Sequence, residues 1–126
     1  MRRNKISNFN KIRYLIGDVR DPERINFAMK DVDIVYHFAA MTDIDIVNDN
    51  PAQAIEVNIA GTSNVLEACI QEKVERFIFS SSVYVYSEFG GVYKFTKQAC
   101  ELLIEDYNDM HSLGYTILQL GSVYGP

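Results

Sequence analysis

The chain has 126 residues, 48% of them hydrophobic and 23% charged, with 7 Gly and only 3 Pro. This composition excludes disorder and collagen-like repeats and fits one globular domain, since such a length buries roughly two-thirds of the unfolded surface without staples. The net charge is −5, yet Arg2, Arg3, Lys5, Lys11 and Arg13 all precede the first acid; the acidic body argues against a nucleic-acid groove, which needs clustered Lys and Arg.

The basic start can meet a phosphate or form a solvated tail. No apolar core of signal-peptide length follows Met1, and no apolar run nears the ~18 residues of a membrane helix, so the predicted location is cytoplasmic with no membrane partner. Cys69 and Cys100 fall in helical patterns and read as reduced core thiols. His37 and His111 stand apart from any Cys/His cluster, so no metal site is expected.

In chain order, Ile12 to Ile16 is a short apolar run stopped by Gly17, predicted to be a buried strand ending in a turn. Asp21 followed by Pro22 caps a short helix to Met29. Val32 to Ala39 is a second strand, so continuously apolar at Ile34, Val35, Tyr36 and Phe38 that burial on both faces is expected. Asn50 and Pro51 repeat the cap-and-Pro signal before a helix to Gln71, whose Ala54, Val57, Ala60, Val65, Leu66, Ala68 and Cys69 return to one side. A third strand runs from Glu75 to Ser81. After Gly90 and Gly91, a helix spans about Tyr93 to Met110 with Gly114 beyond its end, and Tyr115 to Leu120 is a fourth strand. This alternation predicts an α/β fold with a parallel, Rossmann-like, doubly wound sheet.

Ligands of such sheets sit beyond the carboxyl ends of the strands. There the sequence places Gly17, Asp18 and Val19, then Phe38, Ala39 and Ala40, then Ser80, Ser81 and Ser82, then Gly121 and Ser122. Small residues at these tips suit a flat ligand, though they also suit plain turns. Tyr93 and Lys97 are four apart and share a helix face, just after the strand tipped by Ser82. A cation beside a phenol lowers its pKa toward use as a base, and Ser82 can bond the same substrate oxygen.

These residues resemble a family, the extended short-chain dehydrogenases/reductases or NAD-dependent epimerases/dehydratases, with nucleotide-sugar 4-epimerases closest. The resemblance lies in GDVRD (Gly17 to Asp21), DVDIVYHFAA (Asp31 to Ala40), NPAQAIEVNIAGTSNVLEAC (Asn50 to Cys69), RFIFSSSVYVY (Arg76 to Tyr86), YKFTK (Tyr93 to Lys97) and the closing GSVYGP. It implies that Ser82, Tyr93 and Lys97 are catalytic. It further implies that Asp18 and Val19 flank the adenine of NAD, and that Phe38, Ala39 and Ala40 line its pyrophosphate and ribose side. Asn58 would brace the cofactor-side strands, and Lys97 would hold the nicotinamide ribose. The implied activity is nucleotide-sugar epimerisation by transient hydride transfer from sugar C4, with Tyr93 as base and Ser82 on the sugar oxygen. A homodimer is implied for the full-length form.

Departures from the family pattern sharpen the expectations. None of the seven glycines forms GxxGxxG or GxGxxG, and the chain stops at Gly125 and Pro126 where the family continues. Residues 1–126 therefore read as a partial NAD(P)-binding Rossmann domain, a central fragment without the glycine-loop βαβ unit and the substrate region, expected to bind NAD poorly and to be inactive alone. Arg2 and Arg3 fall where a basic residue approaches the adenosine ribose or a 2′-phosphate, so NADP stays open beside NAD. The loop from Ser87 to Val92 is short. Val83 and Tyr84 stand where 4,6-dehydratases carry Asp-Glu, which lowers the dehydratase reading. Gln119 and Ser122 replace Arg and Asn, the latter a residue that touches the nucleotide substrate. A sugar or ketone reductase of the same family and a non-catalytic binding or dimerisation remnant remain as alternatives.

Overall fold

The computed structural model describes residues 12–121. Three parallel strands, β1 (Ile34–His37), β2 (Arg76–Ser82) and β3 (Gly114–Leu120), form a sheet in the order β1-β2-β3. Val35 pairs with Phe77 and His37 with Phe79, while Phe77 pairs with Tyr115 and Ser82 with Leu120. The connecting elements are α1 (Pro22–Met29), α2 (Ile44–Asp49), α3 (Pro51–Ile55), a π-helical stretch (Glu56–Ala60), α4 (Gly61–Gln71), a 3-10 turn (Val83–Tyr86) and α5 (Gly91–His111). The α/β alternation read from the sequence is the architecture observed.

The core lies between one sheet face and the helices. Phe77, Phe79, Leu66, Cys69, Cys100 and Ile104 are almost fully buried there, and both cysteines are free thiols. Asp21 caps α1 as expected, its carboxylate accepting the Arg24 N–H at 3.1 Å. Asn50 does not cap the next helix; its amide nitrogen instead donates to the Ile46 carbonyl at 3.0 Å, closing α2.

Three expectations are corrected. Residues 12–17 are not a strand, and Ile12, Tyr14 and Ile16 are exposed; a strand exists only with a ladder partner, and no described strand pairs with this segment. β1 is shorter than Val32 to Ala39 and is not buried on both faces: Val35 and His37 point into the core, while Ile34 and Tyr36 are 48% and 62% exposed. Among the described residues, helices cover one sheet face only. The left-handed residue that ends α5 is Ser112 (φ 58°), and Gly114 already belongs to β3.

Gly114 matters for close approach rather than for turning. A Cβ there would lie 2.7 Å from the Glu75 carbonyl oxygen, a clash with backbone that has no flexible end to yield. Gly114→Ala is expected to lower stability by about 1–3 kcal/mol, read as a shift in the urea midpoint.

Candidate active site

At the carboxyl end of β2 a cavity of about 350 Å³ is lined by Ser80, Ser81, Ser82, Tyr84, Tyr93 and Lys97, with Thr42 and Ile44 across from them. The chain turns sharply there because the Ser82 hydroxyl accepts the Tyr84 N–H at 3.2 Å, starting the 3-10 turn. With a lone pair so engaged, the hydroxyl proton is free to point into the cavity. Gly90 (φ 106°) and Gly91 (φ 50°) then let α5 start abruptly, so that Tyr93 falls in its first turn and Lys97 one turn later. Tyr93 packs on Val47 and Ala54, and the Tyr84 ring meets it edge-on at 6.5 Å between centroids.

Lys97 is 3% exposed. Its ammonium donates to the Ser80 carbonyl at 2.7 Å and lies 4.7 Å from the Phe79 ring centre and 5.8 Å from that of Tyr93. Burial pushes the lysine pKa down, against the pull of Cys100 and Glu101. Burial pushes the Tyr93 phenol up; the Ser82 hydroxyl works against that rise, and Tyr84 adds to it. The expectation that Lys97 lowers the Tyr93 pKa is therefore not met: the cation is turned to a carbonyl and an aromatic face, and the cost of burying phenolate prevails. At neutral pH Tyr93 carries its proton.

Asn58 sits beneath this site, 2% exposed. Its side-chain oxygen accepts the Met41 N–H at 2.7 Å, and its amide donates to the Met41 carbonyl and to Thr96 Oγ1, both at 3.0 Å. Thr96 in turn donates to the Tyr93 carbonyl at 2.8 Å. The π-helical stretch widens the helix here, and the Asn58 carbonyl takes bonds from Thr62 Oγ1 at 2.6 Å and the Cys100 thiol at 3.1 Å. Thr62 also meets His37 Nε2 at 2.9 Å. Thr62, Thr96 and Asn48, the last accepting the Val92 N–H at 3.1 Å, are neighbours of the site that the sequence reading missed. The Asp43 cap on α2, which accepts the Ile46 N–H at 3.0 Å, was the available signal for that helix.

The structure thus brings Ser82, Tyr93 and Lys97 together, with Asn58 directly below. Phe38, Ala39 and Ala40 follow the end of β1 beside Met41 and do not line the cavity. Asp18 and Val19 line a separate, smaller hollow. The Asp18 carboxylate is held by the Arg20 guanidinium at 2.7 Å, which brings its pKa down to about 2. Val19 is tied to α4 through Asn64, which donates to its carbonyl at 2.9 Å. Ser122, Arg2 and Arg3 lie outside the described residues.

A nicotinamide cofactor fits this cavity at its reactive end. Ser81 Oγ is buried with no hydrogen-bond partner, and Ser80, Ser82, Tyr93 and Lys97 line the same cavity. Among the described residues, no glycine-rich loop borders the cavity to cradle a pyrophosphate. Among the described residues, no helix is long and apolar enough to cross a membrane.

Over residues 1–125 the sequence matches the family described as Polysaccharide biosynthesis protein. It is 37% identical over 123 residues to a UDP-N-acetylglucosamine 4,6-dehydratase (inverting) of Campylobacter jejuni, covering 95% of this chain and 36% of that protein. It is likewise 37% identical over 114 residues to a UDP-glucose 4-epimerase of Rickettsia typhi, covering 88% and 32%. The crystal structure of the UDP-glucose 4-epimerase of Thermus thermophilus in complex with NAD matches the fold with a TM-score of 0.81 at 30% identity, over 87% of this chain and 41% of that one. Pen from Bacillus thuringiensis matches with a TM-score of 0.85 at 38% identity, over 93% and 37%. The chain spans about two-fifths or less of the length of these relatives.

Proposed function

Because the chain belongs to the polysaccharide biosynthesis protein family of extended short-chain dehydrogenases/reductases, we propose that it carries the catalytic set of an NAD-dependent nucleotide-sugar epimerase. The observation that carries this reading is the single cavity that joins Ser82, Tyr93 and Lys97 and has no carboxylate among its described lining residues. Removing water from a sugar calls for an acid and a base on neighbouring carbons; Val83 and Tyr84 supply neither carboxylate, so oxidation and return at one carbon suits the site better than elimination.

When bound, NAD supplies the acceptor and donor of hydride. Ser82 donates its free proton to the sugar oxygen and fixes its place between strand tip and helix. Tyr93 exchanges a proton with that same oxygen. Because Tyr93 is protonated at neutral pH, it is ready to give its proton to a carbonyl oxygen, and the oxidative half requires phenolate, whose share grows about tenfold per pH unit below the phenol pKa. That readiness also favours a second reading, a reductase of the same family. Lys97 contributes a fixed cation at the cavity wall and a hydrogen-bond donor for ribose hydroxyls. Asn58, through Met41 and Thr96, keeps the two walls in register. A nucleotide sugar as substrate, a homodimer of the full-length form and a cytoplasmic setting complete the proposal.

By itself this chain is expected to grip NAD weakly, with a Kd in the millimolar range, about −4 kcal/mol, and to turn over nothing. A titration followed by amide NMR checks the strength and the place of NAD binding. NAD should shift the signals of Ser81, Ser82, Tyr93 and Lys97 without saturating at low concentration. Micromolar binding would contradict the weak grip, and shifts confined to other residues would contradict the cofactor placement.

A further inference from the structure

The first turn of α5, on which Tyr93 sits, begins at Gly90 and has no side-chain cap of its own. Its cap comes from another helix. Asn48, in α2, accepts the Val92 N–H on its side-chain oxygen at 3.1 Å. Gly91 makes room for it, since a Cβ there would overlap that oxygen. The residue after Val92 is Tyr93.

The segment that bears Asn48 is tied to the site at its other end too. The Met41 backbone is clamped by Asn58 on both its N–H and its carbonyl. Between these anchors, Ile44 lines the cavity and Val47 packs on Tyr93. Free N–H groups at a helix start donate well only to an oxygen-bearing partner, with Asn and Asp the best caps and Ala a poor one.

We propose that Asn48 is a positioning residue for the candidate reaction: by capping α5 from α2 it holds the Tyr93 hydroxyl in the cavity beside Ser82. Its catalytic meaning rests on the function proposed above, whereas the mechanical link between Asn48 and Tyr93 does not. Titratable and charged groups facing the phenol are Tyr84 and Lys97, with the Ser82 hydroxyl between, and none of them is altered by changing residue 48.

The test uses this chain with 13C-labelled tyrosine rings, Tyr93→Phe assigning the signal. In Asn48→Ala, exchange of the Val92 amide should rise at least about tenfold, and the Tyr93 titration should fall toward the ordinary phenol value of about 10. Asn48→Asp, which keeps the acceptor, should preserve both readings. Asn48→Thr, a weaker cap, should fall between and serves if the alanine variant does not fold. A variant that loses thermal stability while Val92 exchange and the Tyr93 titration stay put would show a merely structural role and overturn the proposal. So would Asn48→Asp behaving like Asn48→Ala. The sample holds no nucleotide, so a failure here is distinct from a failure of the NAD reading.

Discussion

Tyr93→Phe, in a longer protein that carries this chain, is expected to lower turnover by about 10²–10⁴-fold, the usual worth of a positioned acid-base group, or about 3–5 kcal/mol of barrier. The phenyl ring keeps its packing on Val47 and Ala54, so folding and nucleotide affinity should change little. What is lost is the hydroxyl that shares the cavity with Ser82 and the buried Lys97. Steady-state rates beside thermal melts separate the two effects. Unchanged turnover in a folded variant would remove Tyr93 from the chemistry.

The second large effect is on stability in acid. His37 is 4% exposed, its ring lies against Phe77 and Phe79, and its Nε2 is bonded to Thr62. Burial, helped by the positive charge of Lys97, brings its pKa down from 6.5 to about 4. The unfolded chain takes up the proton first as pH falls, so the contribution of His37 is complete above pH 6.5 and is lost as pH drops toward 4. Its full size is about 3 kcal/mol. Urea unfolding at about pH 7 and about pH 4.5 should show the loss, and His37→Gln should remove most of it. An equal loss in the variant would assign the acid sensitivity to other groups.

Much of this was legible in the sequence. Apolar runs placed β1, β2 and β3, the Asp21–Pro22 cap signal placed α1, and the helical span after Gly90 and Gly91 placed α5, because each is a local pattern. The triad of Ser82, Tyr93 and Lys97 was legible as one strand tip followed by a helix face. Other features depended on partners distant in the chain. The segment at Ile12 has strand composition without a strand neighbour among the described residues. The π-helical stretch at Asn58 is held by bonds to Met41, Thr96 and Cys100, none of which a helical period reports. The six residues of α2 are too few and too polar to show periodicity, and with them Asn48 was hidden. The direction of the Tyr93 shift is not legible either, because spacing reveals that a cation is near but not that its ammonium is turned to the Ser80 carbonyl.

The role proposed for this segment is to supply the acid-base residues for hydride transfer in epimerising a nucleotide sugar. Its most direct test is a chimera in which residues 12–121 replace the matching segment of the Thermus thermophilus epimerase, loaded with NAD and given UDP-glucose, with products followed by proton NMR. A folded chimera should yield the anomeric signal of the C4 epimer and lose it in Tyr93→Phe. A 6-deoxy methyl signal, which reports elimination of water, or an NAD-loaded chimera that leaves the sugar untouched, would contradict epimerisation at this site.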